Sequence, residues 1–203
     1  MNVILLKVLY GFMNCYILAD ENARKCAVID PGGNPKTIHA RVNEHGYEPA
    51  AILLTHGHFD HSGGVRVLRE EWKGIPVYLS DRDKVLTDDR RIARLYPDIS
   101  ATTPVSEGLV IPIGDMDVTV METPGHTQGS VTYIAQNALF CGDTLFHDTA
   151  GRTDLYGGDA EQLMLSLRRI YNLPGNYTVY PGHMQPTELQ TERETNPYFK
   201  SFS

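Results

Sequence analysis

The stretch that decides the fold is Thr55-His56-Gly57-His58-Phe59-Asp60-His61. It follows a short apolar run, 50–54, that predicts a buried strand, and it precedes an apolar pattern of helical period. Two histidines separated by one residue leave an extended backbone on the same side, so both imidazoles can bind one cation. Asp60 and His61 come where the helix begins, and we expect them to face a second ion nearby. The stretch therefore predicts a metal-binding loop at the carboxyl end of a strand.

Three later residues of metal-ligand type occur in the same context, each just after a predicted strand and a glycine. His126 follows strand 117–121 through Thr-Pro-Gly, and Asp143 and His183 follow their strands through Gly and Pro-Gly. In sheet-based folds, ligands gather beyond the carboxyl ends of the strands. Taken alone, Asp143 could be a turn former beside Gly142, and His183 would more often be a polar loop residue than a ligand. The histidine cluster needs partners, however, and this favours a metal role for all three.

Neutral imidazole suits zinc and iron, and a carboxylate can bridge two ions. We therefore expect two divalent metal ions, with zinc as the first choice and iron or manganese as alternatives. Two cations about 3.5–4 Å apart lower the pKa of a shared water toward neutrality, so the nucleophile would be a metal-bridging hydroxide that Asp60 orients. The other three histidines considered, His39, His45 and His147, are predicted not to bind metal. The predicted ligands are His56, His58 and His126 at the first metal, Asp60, His61 and His183 at the second, and Asp143 between them.

Periodicity divides the chain into two similar halves. Each half opens with β-rich sequence and continues as α/β sequence. Asn34 is predicted to cap a helix with Pro35 in its first position, and Asp159 with Gln162 forms a capping-box start for another helix. The segment 80–97 is predicted to be helical, and strand 177–180 to close the chain. This order predicts an α/β fold, a four-layer αββα sandwich, in a single domain over residues 1–203.

Composition limits the class of protein. Hydrophobic residues make up 41% and charged residues 21% of the chain, which is typical of a globular domain. A formal net charge of −7 argues against nucleic acid as a partner. The sequence contains no apolar run of about 18 residues and no basic leader, so we expect a cytoplasmic protein with no membrane partner. The three cysteines are expected to be buried thiols.

The sequence resembles the five-motif signature of the metallo-β-lactamase superfamily. The resemblance lies in the histidine cluster, Pro124-Gly125-His126, Gly142-Asp143 and Pro181-Gly182-His183. The segments 10–16, 30–33, 129–130 and 192–197 resemble its glyoxalase II branch. This resemblance implies hydroxyacylglutathione hydrolase activity, in which a thioester such as S-lactoylglutathione is split into a thiol and a hydroxy acid. It also implies that Arg152, in Gly151-Arg152, contacts a substrate carboxylate. The alternative is a surface arginine paired with Asp154 or Asp159.

Several other functions remain open at this point. Persulfide dioxygenases resemble the same motifs but bind one iron through two His and one Asp, which match His56, His126 and Asp143. A metal-binding module without catalysis would leave no open coordination position. A thiolate leaves without a proton donor, so a small-molecule thioester is a better expected substrate than a peptide. The acyl group and the thiol carrier stay open, and a homodimer is the oligomeric state we consider.

Overall fold

The computed structural model describes residues 1–8, 11–87 and 102–202. Its first sheet has six strands in sequential order. The first three strands pair antiparallel, and the third to sixth run parallel. The strands are β1 (Asn2–Val8), β2 (Met13–Asp20), β3 (Lys25–Ile29), β4 (Glu48–Leu53), β5 (Val77–Leu79) and β6 (Thr103–Pro104).

The second sheet also has six strands, in the order β14-β13-β10-β9-β8-β7, and a two-stranded hairpin of β11 and β12 follows β10 in the chain. The β10 and β13 strands are parallel and the remaining pairs are antiparallel. The strands are β7 (Val110–Ile113), β8 (Met116–Glu122), β9 (Val131–Ala135), β10 (Ala138–Gly142), β11 (Leu145–Phe146), β12 (Thr149–Ala150), β13 (Thr178–Pro181) and β14 (Thr187–Glu188).

Helices lie on the outer face of each sheet. Short 3-10 segments at Asp81–Thr87 and Pro197–Ser201 complete the elements. Over the described residues, no helix is both long and apolar enough to cross a bilayer. The α-helices are α1 (Pro35–Glu44), α2 (Phe59–Ser62), α3 (Val65–Glu71), α4 (Ala160–Tyr171) and α5 (Leu189–Thr195).

Three separate apolar layers hold the structure together. Strand β2 is buried at all eight positions because both of its faces are covered. Its residues Cys15 and Ile17 pack with α1 and α3, whereas Tyr16 and Leu18 pack between the two sheets. A third layer lies between the second sheet and helices α4 and α5. The predicted αββα order is therefore confirmed.

Local predictions were confirmed at most elements. Helix α1 begins with Pro35, and the Asp159 carboxylate accepts a hydrogen bond from the Gln162 amide at the start of α4. Asn34 occupies the N-cap position of α1, as predicted, but it adopts φ +51° and its side chain makes no cap hydrogen bond. All three cysteines are buried, free thiols, as expected.

Two predictions about the chain's later course differ from the structure. The strand near 177–180 does not close the chain, because β14, α5 and a 3-10 segment follow it. Strands of two residues are too short to show an alternating pattern, so β11, β12 and β14 leave no signal in the sequence. Of the segment predicted to be helical, 80–97, the described part contains the 3-10 helix Asp81–Thr87, and residues 88–97 lie outside the described residues.

Candidate metal centre

The seven predicted ligands lie together at one edge of the sandwich. The cluster from His56 to His61 occupies the loop between β4 and α2 and the first residues of α2. The other three follow the carboxyl ends of β8, β10 and β13 in the second sheet. Both sheets therefore contribute ligands to one place, as the strand-end argument predicts.

The first group of donors consists of three histidines. His58 Nδ1 lies 3.0 Å from His56 Nε2 and 3.0 Å from His126 Nε2. The His126 Nδ1–H donates to the carbonyl oxygen of Arg152 at 2.8 Å, and the His56 Nδ1–H donates to Thr55 Oγ1 at 3.1 Å. These bonds occupy the Nδ1 protons, so the Nε2 lone pairs of both rings point at the same position.

Burial keeps His56 and His58 of this group neutral. Desolvation and the neighbouring imidazoles hold the pKa of His56 well below its ordinary value. For the same reasons, burial first and His126 second, the pKa of His58 falls to about 4. Neutral imidazole is the form that binds a metal ion. At neutral pH His56 and His58 thus each offer a nitrogen lone pair to a cation at this position.

The second group consists of Asp60, His61 and His183. His183 Nε2 lies 3.3 Å from Asp60 Oδ2, and His61 Nε2 lies 3.9 Å from the same oxygen. The His183 Nδ1–H donates to the carbonyl oxygen of Phe12 at 2.6 Å, and the His61 Nδ1–H donates to Asp30 Oδ2 at 2.9 Å. In both rings this hydrogen bond engages the Nδ1 proton, which leaves the Nε2 lone pair for a metal ion.

Asp143 lies between the two groups. Its Oδ2 is 3.6 Å from His126 Nε2 and 3.5 Å from His183 Nε2, and its Oδ1 is 3.3 Å from His61 Nε2. One carboxylate thus reaches a nitrogen of each group, which is the position the sequence predicts for a bridging ligand.

The unsatisfied atoms at this centre fit two divalent cations. Among the described residues, His61 Nε2 and Asp143 Oδ1 are buried without a hydrogen-bond partner. A buried polar atom without a partner is costly, and a cation between these two would satisfy both. Although burial alone would lower the pKa of His61, the carboxylates of Asp143 and Asp30 hold it well above its ordinary value. Positive charge is therefore stabilised here, and the mixed imidazole and carboxylate donors suit zinc, iron or manganese.

Asp30 supports both groups, and we did not predict this role from the sequence. Its Oδ1 accepts a hydrogen bond from the Thr55 amide at 2.8 Å, and its Oδ2 accepts from Thr55 Oγ1 at 2.7 Å and from His61 Nδ1. Thr55 in turn orients His56. The available signal was its position, since Asp30 follows the buried strand β3 as the ligands follow theirs. Carboxylates that orient metal-binding histidines in this way also raise the basicity of the ring.

Asp83 is a second supporting residue that sequence reasoning missed. Its carboxylate is buried and accepts hydrogen bonds from the Gly57 amide at 2.7 Å, the Gly129 amide at 2.6 Å and Thr127 Oγ1 at 2.9 Å. Burial raises the pKa of Asp83, and these three bonds oppose that rise. It joins the loop that carries His58 to the loop that follows His126. A charged segment with no clear period offered no sign of this role.

The role of Asp30 can be tested with the isosteric change Asp30→Asn. Asparagine tolerates the φ of +50° found at this position, but its amide N–H₂ would face the Thr55 hydroxyl and the His61 N–H, which are both donors. We expect metal affinity to fall about 10- to 100-fold, as is typical of residues that orient ligands. Competition with a chromophoric chelator measures this. Unchanged affinity in a folded variant would contradict the role of Asp30.

A cavity of about 650 Å³ opens onto the centre. Five of the seven predicted ligands line it, together with Arg152 and a series of apolar residues. The Arg152 side chain is exposed and donates to both carboxylate oxygens of Asp154 at 2.7 Å. The structure thus shows the pairing with Asp154, and contact between Arg152 and a substrate stays a prediction.

Glu192 holds one wall of this cavity in place. It is fully buried and accepts hydrogen bonds from the Asp148 amide, Thr187 Oγ1 and Asn196 Nδ2, and His147 Nδ1 lies 3.0 Å from its Oε1. These contacts fix the turn between β11 and β12 to helix α5. His147, Asp148 and Glu192 are close enough to share a cation. Protein donors already bind the Glu192 carboxylate, and the prediction that His147 binds no metal stays a prediction.

Residues 10–183 match the family model described as the Metallo-beta-lactamase superfamily. The chain belongs to this superfamily. Among its relatives is the probable metallo-hydrolase YqgX of Bacillus subtilis, which is 36% identical over 200 residues, with 94% of this chain and 93% of the relative covered. A hydroxyacylglutathione hydrolase of Klebsiella pneumoniae is 34% identical over 198 residues, which cover 93% of this chain and 72% of that protein.

Solved structures of superfamily members agree with the fold. The BLEG-1 B3 metallo-beta-lactamase superposes with a TM-score of 0.87 at 32% identity, over 98% of this chain and 99% of that one. TTHA1623, solved in a di-iron-bound form, gives 0.82 at 34% identity over 98% and 100% of the two chains. ETHE1 from Myxococcus xanthus gives 0.82 at 29% identity over 97% and 84%. Membership of the superfamily, together with the donor atoms described above, indicates divalent metal ions as cofactors.

Proposed function

We propose that this protein is a dinuclear metal-dependent hydrolase that cleaves a thioester of a small molecule. The observation that carries the proposal is the arrangement of two groups of three ligand atoms with Asp143 between them. When bound, two cations at these positions would lower the pKa of a water held between them and polarise a substrate carbonyl. The residues His58, Asp60, His126, Asp143 and His183 face the cavity, so a substrate can reach the centre.

Asp60 would have two tasks in this hydrolase. Its Oδ2 lies beside His183 and His61, where it would hold the second cation. Although burial would raise the pKa of Asp60, the hydrogen bond with His183 and the charge of His61 lower it, so the carboxylate is ionised at neutral pH. Its other oxygen can accept a hydrogen bond from the attacking hydroxide and orient it toward the substrate carbonyl.

The chemistry of the cavity wall supports a thioester over an amide. An amine leaving group needs a proton in the transition state, whereas a thiolate leaves as an anion. Apart from the ligands, the described lining side chains with a hydrogen-bond donor are Thr149, Arg152 and Tyr156. None of them is a carboxylic acid or a histidine. The Klebsiella pneumoniae relative named hydroxyacylglutathione hydrolase makes S-lactoylglutathione the first substrate to try.

The rival function is a mononuclear iron persulfide dioxygenase, which would use His56, His126 and Asp143. The closeness of Asp60, His61 and His183 to one another favours two metals over one. Iron alone does not separate the two functions, because TTHA1623 was solved in a di-iron-bound form.

The test is thiol release from S-D-lactoylglutathione by protein of known metal content. A chelator-stripped sample is reloaded separately with zinc, iron(II) or manganese(II), and each form is assayed beside the matched oxygen ester and amide. We expect two metal equivalents, measurable thiol release, slower ester cleavage and no amide cleavage. One equivalent of iron with oxygen uptake on a thiol persulfide would instead establish the dioxygenase. No hydrolysis of any thioester by a protein with two metals would refute the proposal.

A further inference from the structure

The mouth of the cavity carries large apolar side chains that are exposed to solvent. Phe59 is 49%, Leu155 41%, Tyr156 51% and Met184 44% exposed, and all four line the cavity. A cluster of exposed apolar residues on a globular protein usually marks a surface that binds a ligand. The apolar mouth therefore needs a functional explanation.

The apolar surface continues inward to the metal centre. Phe146 and Ala150, from the β11–β12 hairpin, form one wall of the cavity. The Phe146 ring packs edge-on against the His183 ring at a centroid distance of 6.2 Å. The turn of this hairpin is held by the buried Glu192, so the wall is fixed in place. A chain of methylene groups could thus lie on apolar surface from the scissile bond to the mouth.

The charged side chains that line the cavity do not favour an anionic substrate tail; Lys7 donates to the carbonyl oxygen of Met184 at the mouth but does not line the cavity. Among the described lining residues, Arg152 is the one arginine or lysine, and Asp154 binds it through two hydrogen bonds. The pair is neutral overall. A glutathione thioester carries two carboxylates and one ammonium group, so Arg152 would have to leave Asp154 to bind it. An uncharged substrate could bind without separating Arg152 from Asp154.

We propose, on the basis of the hydrolase function above, that the cavity prefers thioesters whose acyl chain and thiol carrier are both uncharged and apolar near the scissile bond. Burial of apolar surface then supplies the binding energy, at about a fourfold gain in affinity per buried methylene. The Arg152–Asp154 pair acts as a specificity determinant, because it cancels the charge that an anionic carrier would need.

Binding of non-hydrolysable thioethers tests this preference apart from hydrolysis. The metal-loaded protein is titrated calorimetrically with S-hexyl-N-acetylcysteamine, S-methyl-N-acetylcysteamine and S-hexylglutathione. We expect the uncharged hexyl compound to bind at least tenfold more tightly than each of the other two. Equal or tighter binding of S-hexylglutathione would overturn the inference and leave the hydrolase proposal intact. The expected binding order without any thioester hydrolysis would refute the hydrolase proposal and leave the binding preference intact.

Two variants test the residues. Asp154→Asn frees Arg152, so the affinity for S-hexylglutathione should rise about fivefold to tenfold relative to that for S-hexyl-N-acetylcysteamine. Asp117→Asn removes an exposed charge near the start of β8, at the end of the strand away from the metal centre. This change should leave the ratio of the two affinities unchanged. Leu155→Ser should weaken binding of the hexyl compound about threefold to tenfold and of the methyl compound less. An unchanged ratio in Asp154→Asn, together with equal losses for hexyl and methyl compounds in Leu155→Ser, would contradict the assigned roles.

Discussion

Replacing Asp60 with alanine is expected to leave about one metal equivalent per chain and to lower kcat for thioester hydrolysis by roughly 10²- to 10⁴-fold. The reason is that the second position would retain only the imidazoles of His61 and His183, with Asp143 shared between positions. A divalent ion held by fewer anionic oxygens binds more weakly. Elemental analysis after gel filtration measures the metal content, and steady-state thiol release measures kcat.

A matched control separates the loss of this carboxylate from a general change in charge. Asp117→Ala removes an exposed aspartate on β8, far along the strand from His126, and should keep two metal equivalents and the full rate. A variant lacking Asp60 that still bound two equivalents and hydrolysed at the parental rate would exclude the assigned roles of this residue.

Gly182→Ala is expected to damage the metal centre through a single methyl group. A Cβ at this position would lie 2.3 Å from Asp143 Oδ1 and 2.5 Å from His61 Cε1, and the backbone is not in the left-handed region, so the space is the main obstacle. Both neighbours would have to move by about 1 Å, a displacement that can reduce catalysis about 10²-fold. Overpacking should also cost roughly 1–3 kcal/mol of stability.

The informative comparison is with Gly175→Ala. Gly175 has φ +80°, and a methyl group added there would meet no atom within 4 Å, so this change strains the backbone without touching the centre. We expect it to lower the melting temperature while metal content stays at two equivalents. If Gly182→Ala lost stability but kept both metals and its rate, the close approach of this glycine to the ligands would be of no functional consequence.

The convergence of the seven proposed ligands could be predicted from sequence because each of them follows the end of a strand, and strand ends meet at one edge. The residues that orient the ligands could not be predicted in this way. Asp30 and Asp83 act through hydrogen bonds to residues 25 and 26 positions away in the chain, Thr55 and Gly57 respectively. Such contacts depend on which strands become neighbours and on the course of the loops beyond them, and local periodicity carries no information about either.

The shape of the cavity could not be predicted from the sequence either. Its apolar wall comes from β11 and β12, which are too short to leave a pattern, and from loop residues such as Leu155 and Tyr156. The sequence placed Arg152 near the site with two roles in competition, and the structure shows the pairing with Asp154. Sequence therefore predicted which residues gather at the centre better than it predicted the shape and charge of the space above them.

Because the ligands come from both sheets, metal occupancy of the centre should affect the stability of the whole folded molecule. The residues that follow β4 of the first sheet include His56, His58, Asp60 and His61. Strands of the second sheet precede the others, His126, Asp143 and His183. Each ion would thus fasten one half of the sandwich to the other. A site held at a hundred times its dissociation constant adds about 2.7 kcal/mol to the free energy of unfolding. Removal of both ions should therefore lower the melting temperature by many degrees, and the cell's metal supply would set how long the protein survives as well as how fast it works.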